Sequence, residues 1–457
     1  MSFKGVRFGQ APTDQLRWEP PVPFISGSAH NATILAPPCV QQFSYAASAF
    51  TQFLFNNPPV AESEDCLFLN VWAPSTNIRE KKPVFFWLFG GGLMFGTVSL
   101  AAYDGVSLAA NQDMVVVTVN YRTNIFGFPS SRDLPIAQNN LGLLDQELAL
   151  KWVQLNIGQF GGDPSKVTII GQSAGAGSVG YALLKDRVNP PFRAGVLLSG
   201  VPTAFPAFPP FGSFDDFAGA FQQPLFEISR TVHSVAPSTL LSTSEWKSSS
   251  FPVRFAYEMK RYDIPNPLVR VRAGNIAKVP LIVGNTENDG SVFTMGSTNI
   301  TAFLDAILPG NTISPAFLRS LYPDQNDSVV IADADRDFVF RCPDELLSAV
   351  FADLQLFPGP GAWHSSEILS LFGTFNRTTA AEATWSHTFQ TSVANFIKDP
   401  KKSPATNWPE YVPGTKTFAK LAYNGNVEPN NFVVPVESSL LDGPCDALWD
   451  QFMRTNF

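Results

Sequence analysis

The stretch Lys166-Val-Thr-Ile-Ile-Gly-Gln-Ser-Ala-Gly175 places a serine between two glycines directly after an apolar run. The small residues that follow, Ala176-Gly-Ser-Val179, are able to open a helix. A strand, a tight glycine-flanked turn and a helix form the nucleophile elbow, which holds a serine hydroxyl out at the carboxyl edge of a sheet. A chain of this length shows G-x-S-x-G by chance roughly once in ten sequences. The interpretation therefore needs support from other segments.

Several further apolar runs are bounded by turn residues and rich in β-branched and aromatic residues, as in strands buried on both faces of a parallel sheet. Between two of them, apolar residues at spacings of three and four predict an amphipathic helix that ends at Gly161-Gly162. Strand, helix and strand in this order form a right-handed parallel crossover. The runs are Pro83–Phe89, Met114–Val119, Val167–Ile170, Ala194–Leu198 and Val279–Val283, and the helix carries Leu141, Leu144, Leu148, Trp152 and Leu155.

These patterns predict an α/β fold with a mostly parallel central sheet and helices on both faces, formed by residues 1–457 as a single domain. We find no internal repeat. One stretch differs, because phenylalanine recurs every third residue from Phe205 to Phe217 among prolines and glycines. We interpret it as an aromatic-rich loop packed on the domain; the alternative is that it walls an apolar substrate pocket.

The bulk composition excludes several classes of function. The net charge of −8 argues against nucleic acid as a partner and against anionic membrane surfaces. No run of 18 uncharged apolar residues occurs, so we predict no transmembrane segment. The amino-terminal residues lack the apolar core of a signal peptide. Four cysteines and four N-x-[ST] sequons point instead toward export, which leaves the compartment ambiguous; the sequons are at Asn31, Asn299, Asn326 and Asn376.

A serine hydroxyl becomes a good nucleophile only when a base removes its proton and an acid orients that base. The chain has four candidate bases. For His30, beside a sequon, and for His233 and His387, in polar helix-like stretches, a surface or packing role is the better interpretation. His364 lies in the turn Gly359-Pro-Gly-Ala-Trp-His364, late in the chain. Because the α/β-hydrolase order is serine, acid, histidine, we predict His364 as the base.

The acid is expected between the serine and the histidine, in a loop that follows a strand. Val279–Gly284 reads as such a strand and is followed by both Glu287 and Asp289. Acidic residues before glycine are also common in ordinary turns. The spacing alone does not decide whether Glu287 or Asp289 is the catalytic acid, or whether both have a purely structural role.

The tetrahedral intermediate of acyl transfer carries an oxyanion that backbone N–H groups must stabilise. Phe89-Gly-Gly-Gly-Leu93 follows a predicted strand and is a glycine run of the HGGG type, with phenylalanine in the place of histidine. A phosphate-binding loop is a poor alternative, since no Lys-Ser/Thr follows and the G-x-G-x-x-G spacing is missing. Cysteine and histidine do not cluster at zinc spacings, so we predict no metal.

With these segments placed, the chain resembles the type-B carboxylesterase and lipase family, which includes cholinesterases and fungal members. The resemblance runs from Phe3 to about Thr374 and rests on long strings. It implies the α/β-hydrolase fold and a serine carboxylic-ester hydrolase that works through an acyl-enzyme and needs no cofactor. The strings are Ser63-Glu-Asp-Cys-Leu-Phe-Leu-Asn-Val-Trp72, Val115-Val-Val-Thr-Val-Asn-Tyr-Arg122, Asn140-Leu-Gly-Leu-Leu-Asp-Gln146 and Phe160-Gly-Gly-Asp-Pro164.

The resemblance also implies roles for individual residues. It selects Asp289 as the acid of the triad Ser173, Asp289 and His364; glutamate is commoner in the family at this position. The oxyanion donors would be the N–H groups of Gly91, Gly92 and Ala174. The implied disulfides are Cys39–Cys66, which closes the 39–66 loop over the active site, and Cys342–Cys445.

Departures from the family narrow the expected substrates. The 39–66 loop lacks the tryptophan on which cholinesterases hold choline, so choline esters are not expected. The loop is also shorter than the lid of the fungal lipases, which favours short-chain or aromatic esters. The N-terminus resembles a trimmed one, and the strand expected before His364 is represented only by Phe351–Phe357.

The sequence therefore predicts an esterase whose partner is a small-molecule ester, secreted or in the secretory pathway, with a cytoplasmic location as the alternative. Two other functions stay open. One is a catalytically impaired cholinesterase-like binding protein, and the other is an acyl-transfer or lactone-processing enzyme of secondary metabolism. The sequence does not define the oligomeric state.

Overall fold

The computed structural model groups the described chain into two compact units. Unit 1 comprises Met1–Gly195 and Phe205–Val279, and unit 2 comprises Val196–Ala204 and Pro280–Phe457. The Phe-rich stretch, His233 and Asn376 lie outside the described residues. The described residues are 1–43, 52, 55–75, 80–129, 136–202, 267–307, 313–323, 325–345, 350–352, 362–374, 379–412, 415–437 and 445.

The sheet of unit 1 has parallel strands at one side and antiparallel strands at the other. Its strands are β1 (Ser2–Arg7), β2 (Phe68–Trp72), β3 (Lys82–Leu88), β4 (Val115–Val119) and β5 (Gly162–Gln172). β3 pairs in parallel with both β4 and β5. β2 pairs antiparallel with β4, and β1 antiparallel with β2. Every residue of β4 is buried, as its run of β-branched residues predicts.

The helices of unit 1 follow the strands in the expected alternation. β6 (Ala194–Leu198) then carries the chain from unit 1 into unit 2. All the apolar runs predicted as strands in this unit are strands, with ends displaced by a few residues. The helices are α1 (Val106–Gln112), α2 (Asn124–Gly127), α3 (Leu141–Asn156), α4 (Ala174–Lys185) and α5 (Pro267–Arg272).

Helix α3 exists as predicted but buries a different face. Leu155, on the predicted apolar stripe, is 74% exposed, whereas Asp145 and Gln146 are buried. The Arg122 guanidinium donates hydrogen bonds to Asp145 at 2.9 and 2.8 Å, and Gln146 donates one to Ser178 at 3.1 Å. The prediction of which face of α3 is buried was wrong. It used only the apolar residues, whereas polar side chains with hydrogen-bond partners can also be buried.

Unit 2 contains strands that also pair mostly in parallel. Its strands are β7 (Leu281–Thr286), β8 (Val350–Ala352), β9 (Phe418–Leu421) and β10 (Val433–Val436). β8 pairs in parallel with β7 and with β9, and β10 is antiparallel to β9. The helices are α6 (Ile300–Ile307), α7 (Pro315–Leu321), α8 (Asp327–Arg336), α9 (Cys342–Glu345), α10 (Ser366–Phe372) and α11 (Ala380–Lys398).

Both disulfides that the resemblance implies are present. Cys39 is bonded to Cys66 within unit 1, and Cys342 is bonded to Cys445 within unit 2. Each therefore closes a loop inside its own unit. In the described residues, none of the helices combines the length and the apolar character that a membrane crossing requires.

Helix α4 begins in direct contact with the backbone at the end of β3. A β-carbon at Gly175 would lie 2.1 Å from the carbonyl oxygen of Leu88 and 2.6 Å from that of Phe89. Both neighbours are backbone atoms, which cannot move aside without separating the helix from the sheet. Gly177, one half-turn further along the helix, has open space where its β-carbon would be.

We predict that Gly175→Ala destabilises the protein by about 3 kcal/mol or more, because the added methyl group overlaps two carbonyl groups. Gly177→Ala is the matched control, and it should be neutral or stabilising by up to about 1 kcal/mol, since alanine favours the helix. Denaturant unfolding of the two variants measures both effects. Equal stability of the two variants would contradict the packing described here.

Candidate active site

Ser173 stands at a strained turn between β5 and α4. Its backbone angles are φ 55° and ψ −126°, a region that residues with a side chain rarely adopt. The turn can be this tight because Gly171 has no β-carbon; one would lie 2.2 Å from the carbonyl oxygen of Gly175. This is the backbone of a nucleophile elbow. Ser173 is half-buried at its tip.

The glycine run after β3 lies against this elbow. A β-carbon at Gly90 would be 2.8 Å from Cβ of Ser173 and 2.7 Å from the carbonyl oxygen of Gln172. Gly91 and Gly92 then adopt φ values of 108° and 61°, which glycine reaches without strain. The glycine run thus brings the loop backbone, at Gly90, beside the serine.

Three backbone N–H groups near Ser173 are available to a ligand. They belong to Gly91, Gly92 and Ala174, and none of them has a hydrogen-bond acceptor among the described residues. Ala174 is the first residue of α4, where helix geometry leaves the N–H without an internal partner. Unsatisfied N–H groups at a helix start and in a glycine turn are suited to bind an anion.

Residues that the sequence analysis did not single out hold the glycine loop in place. Gln41 accepts a hydrogen bond from the backbone N–H of Gly96 at 2.8 Å, and its own N–H donates to Glu62 at 3.0 Å. Both Gln41 and Glu62 lie in the disulfide-closed 39–66 loop. The Tyr121 hydroxyl donates to the carbonyl of Phe89 at 2.6 Å, and their rings stack at 4.1 Å. The sequence around Gln41 contains no motif that predicts its contact with Gly96.

In unit 2 the structure brings together Asp289 and His364. Nδ1 of His364 lies 2.9 Å from Oδ1 of Asp289. Asp289 is fully buried, and His364 is 7% exposed. Because an ionised carboxylate only accepts hydrogen bonds, the contact places the imidazole hydrogen on Nδ1 and leaves Nε2 as the basic nitrogen. The pair has the arrangement of an acid that orients a general base.

Backbone contacts align the two loops that carry this pair. The N–H of Asn288 donates to the carbonyl of Ala362 at 2.9 Å, and Asn288 forms a parallel bridge with Trp363. The imidazole of His364 is packed between rings, with the centroids of Phe293 and Phe340 each 4.9 Å away. The residues flanking the acid and the base are thus paired directly, which fixes the relative position of the two side chains.

The rival candidates occupy other positions. The backbone carbonyl of Glu287 accepts from Arg336, and its carboxylate lies 3.9 Å from Lys420. His30 is exposed and hydrogen-bonds to Ser26, and His387 is exposed on α11. Ser173 lies in unit 1, whereas Asp289 and His364 lie in unit 2, so the meeting of Ser173 with His364 stays a prediction.

Three further acids are buried near Asp289 and interact with it electrostatically. Burial and the Asp289 charge raise the pKa of Asp335 and of Glu367 to about 8 each. The same causes raise the pKa of Asp344 well above its usual range. Burial therefore favours the neutral form of all three carboxyls, and sequence patterns gave no sign of them. Within the described residues, no cluster of His, Cys, Asp or Glu is suited to hold a metal ion.

The buried acids make the stability of the fold depend on pH. Because the pKa of Glu367 and Asp335 is raised to about 8 in the folded protein, the folded state binds more protons than the unfolded chain above about pH 4. We predict that the midpoint of thermal unfolding (Tm) falls by several degrees between about pH 5 and about pH 8.5. Glu367→Gln, which stays neutral, should reduce this fall.

The exposed Glu410→Gln is the control, since its carboxyl is solvated in both states. Thermal unfolding at the two pH values compares the three proteins. An unchanged pH dependence in Glu367→Gln would contradict the assignment of Glu367 as a buried neutral acid.

The chain is similar to known proteins in sequence and in fold. A model of the carboxylesterase family matches residues 1–314. Acetylcholinesterase of Electrophorus electricus is 35% identical over 311 residues, which make up 64% of this chain and 48% of that protein. Cholinesterase of Mus musculus is 29% identical over 490 aligned residues, with 92% and 79% coverage. The chain thus matches only about half the length of the Electrophorus protein.

Solved structures of esterases have the same fold. A PNB esterase matches with a TM-score of 0.77 and 26% identity, covering 97% of this chain and 94% of that one. A thermophilic PNB esterase matches with a TM-score of 0.77, 25% identity and coverage of 97% and 95%. The predicted α/β-hydrolase fold and the predicted family are both confirmed. The chain belongs to the carboxylesterase family.

Proposed function

We propose that this protein is a carboxylic-ester hydrolase in which Ser173 is the nucleophile, His364 the general base and Asp289 the acid. The observation that carries the proposal is the buried hydrogen bond between His364 Nδ1 and Asp289 Oδ1, in a chain whose serine elbow is already formed. An imidazole held at Nδ1 by a carboxylate is oriented to accept a proton from a hydroxyl through Nε2.

The reaction proceeds in two balanced steps. In the first, the Ser173 oxygen attacks the ester carbonyl while His364 takes the hydroxyl proton; His364 then gives that proton to the departing alcohol as the carbon–oxygen bond breaks. In the second, water attacks the acyl-enzyme with the same proton transfers, and the carboxylic acid leaves. Asp289 stabilises the imidazolium in both steps.

The oxyanion of each tetrahedral intermediate is held by the N–H groups of Gly91, Gly92 and Ala174. Their availability supports this role, because donors already bonded to the protein would have to give up those bonds. Each such donor typically contributes roughly 3 kcal/mol to the transition state. No metal or cofactor enters the proposed mechanism.

Backbone strain favours catalysis over a binding role. A residue with a side chain at the φ and ψ of Ser173 costs roughly 1–3 kcal/mol, and such strain is retained where it aims a reactive group. A binding protein with an inactive site has no comparable use for it. An acyl-transfer or lactone-processing activity would use the same groups with an alcohol in place of water.

Export through the secretory pathway is a further part of the proposal. Two disulfides support it, since such bonds persist in oxidising compartments. The sequon asparagines Asn31, Asn299 and Asn326 are exposed, so a glycan could attach to each. At Asn31 the side-chain oxygen accepts hydrogen bonds from the N–H and hydroxyl of Thr33 at 3.1 and 2.6 Å.

We predict that Ser173→Ala lowers turnover of p-nitrophenyl acetate by at least about 10⁴-fold, because the nucleophile is lost. The control is Ser26→Ala, since Ser26 and His30 form an exposed serine–histidine contact with no oxyanion site; its turnover should equal that of the wild type. Steady-state kinetics measures both. Retained turnover in Ser173→Ala would refute the assignment of the nucleophile.

We further predict that kcat/KM is highest for short-chain or aromatic acyl groups and falls by at least about tenfold for palmitoyl esters. The short disulfide-closed loop and the missing tryptophan support this order. A panel of p-nitrophenyl esters from acetyl to palmitoyl, with butyrylcholine ester as a cationic comparison, measures it. A preference for long chains or for the choline ester would contradict the proposed substrate class.

A further inference from the structure

Asp289 belongs to a group of four buried carboxyls, which we name the carboxyl cluster: Asp289, Asp335, Asp344 and Glu367. All four side chains are at most 6% exposed, and each of the other three interacts electrostatically with Asp289. The elements that carry them surround the loop of Asp289. Glu367 is in the first turn of α10, Asp344 in α9 and Asp335 in α8, against Gly290.

A buried cluster of this kind holds few negative charges at neutral pH. Each carboxylate loses its hydration and repels the others, so most members remain protonated. Burial raises the pKa of Asp335 and Glu367 to about 8 each. The mechanism, however, requires the negative charge to reside on Asp289, because that carboxylate is hydrogen-bonded to His364.

Hydrogen-bond donors are distributed unequally over the cluster. Asp289 receives three contacts, from the Thr286 N–H at 2.9 Å, the Thr286 hydroxyl at 2.6 Å and His364 at 2.9 Å. Asp344 has no hydrogen-bond partner for either carboxylate oxygen in the described residues, and the carboxyl of Glu367 has none there beyond its own backbone N–H. Since donors stabilise the charged form and their absence favours the neutral one, the arrangement directs ionisation toward Asp289.

Thr286 supplies two of those three donors from one position. It is the last residue of β7 and is 2% exposed, and its strand pairs with β8 at Ala352. Its hydroxyl shares Oδ1 of Asp289 with His364, so one oxygen receives both contacts. The N–H would be present with any residue except proline, whereas the hydroxyl depends on the side chain.

We propose that Thr286 is a positioning residue whose hydroxyl fixes the negative charge of the carboxyl cluster on Asp289, facing His364. This inference rests on the proposed function and assigns a residue beyond the triad. When His364 becomes an imidazolium during the attack, its partner is then the ionised member of the cluster. Without the hydroxyl, the charge is shared with the other carboxyls, and the imidazolium loses part of its stabilisation.

The test compares Thr286→Val, which keeps the shape and removes the hydroxyl, with Thr286→Ser, which keeps the hydroxyl. We expect Thr286→Val to lower kcat for p-nitrophenyl acetate by roughly 10- to 100-fold, the usual effect of one hydrogen bond to a charged group. KM should stay within about twofold, because Thr286 is 2% exposed and its side chain contacts Asp289. Thr286→Ser should remain close to wild type.

A double variant tests the charge itself. In the Thr286→Val background, Glu367→Gln removes one alternative site for the charge, so kcat should rise by roughly threefold or more, as for coupled neighbours. An equal or lower kcat in the double variant would contradict the charge-fixing role. If Thr286→Val does not fold, Thr286→Ala takes its place against Thr286→Ser.

The outcomes separate this inference from the proposed function. A wild-type protein without esterase activity would refute the proposed function. An active wild type with an equally active Thr286→Val would refute the role of Thr286 alone. Equal losses of kcat in the valine and serine variants would also refute it, because the hydroxyl would then not be the operative group.

Discussion

Backbone-to-backbone contact at the ends of β3 and β5 is the constraint on which the serine site depends. Gly175 touches the carbonyls that end β3, and Gly90 touches the elbow from the other side. These contacts leave no room for β-carbons, so the serine turn and the anion-binding loop can approach only where glycine stands. The strained conformation of Ser173 follows from that approach, and so does the position of the three unsatisfied N–H groups.

The pair Asp289 and His364 depends on a different effect, the cost of burying a carboxylate relative to the hydrogen bonds that it accepts. Asp289 is a buried carboxylate that accepts three hydrogen bonds, whereas burial favours the neutral form of its neighbours Asp344 and Glu367, which receive fewer hydrogen bonds. A neutral buried acid lowers stability at alkaline pH, since ionisation in a low-dielectric interior is unfavourable. The carboxylate that orients His364 is therefore surrounded by acids that lower the stability of the folded protein at alkaline pH.

The sequence predicted the parts of the structure that local chemistry determines. Apolar runs located the strands, and the glycines around Ser173 located the elbow, because a tight turn requires them. The family resemblance, rather than spacing, gave the disulfides and the choice of Asp289 over Glu287. The structure then placed Asp289, and not Glu287, against His364.

Long-range polar partnerships were not predictable from one sequence. The buried face of α3 was predicted wrongly because Asp145 is satisfied by Arg122, 23 residues away. The contact of Gln41 with Gly96 likewise depends on how two segments 55 residues apart fold. The periodicity of a sequence describes only its apolar residues. Whether a polar side chain is buried depends on whether it has a hydrogen-bond partner in the folded protein.

Catalysis by this site requires that the hydroxyl of Ser173 reacts with an acylating or phosphorylating group while His364 removes its proton. Covalent labelling with a fluorophosphonate, read out by peptide mass spectrometry, tests this most directly. The account predicts a single adduct on Ser173, with labelling slowed severely in His364→Ala and in Asp289→Asn. An adduct on another residue, or an active protein whose Ser173 is never labelled, would contradict it.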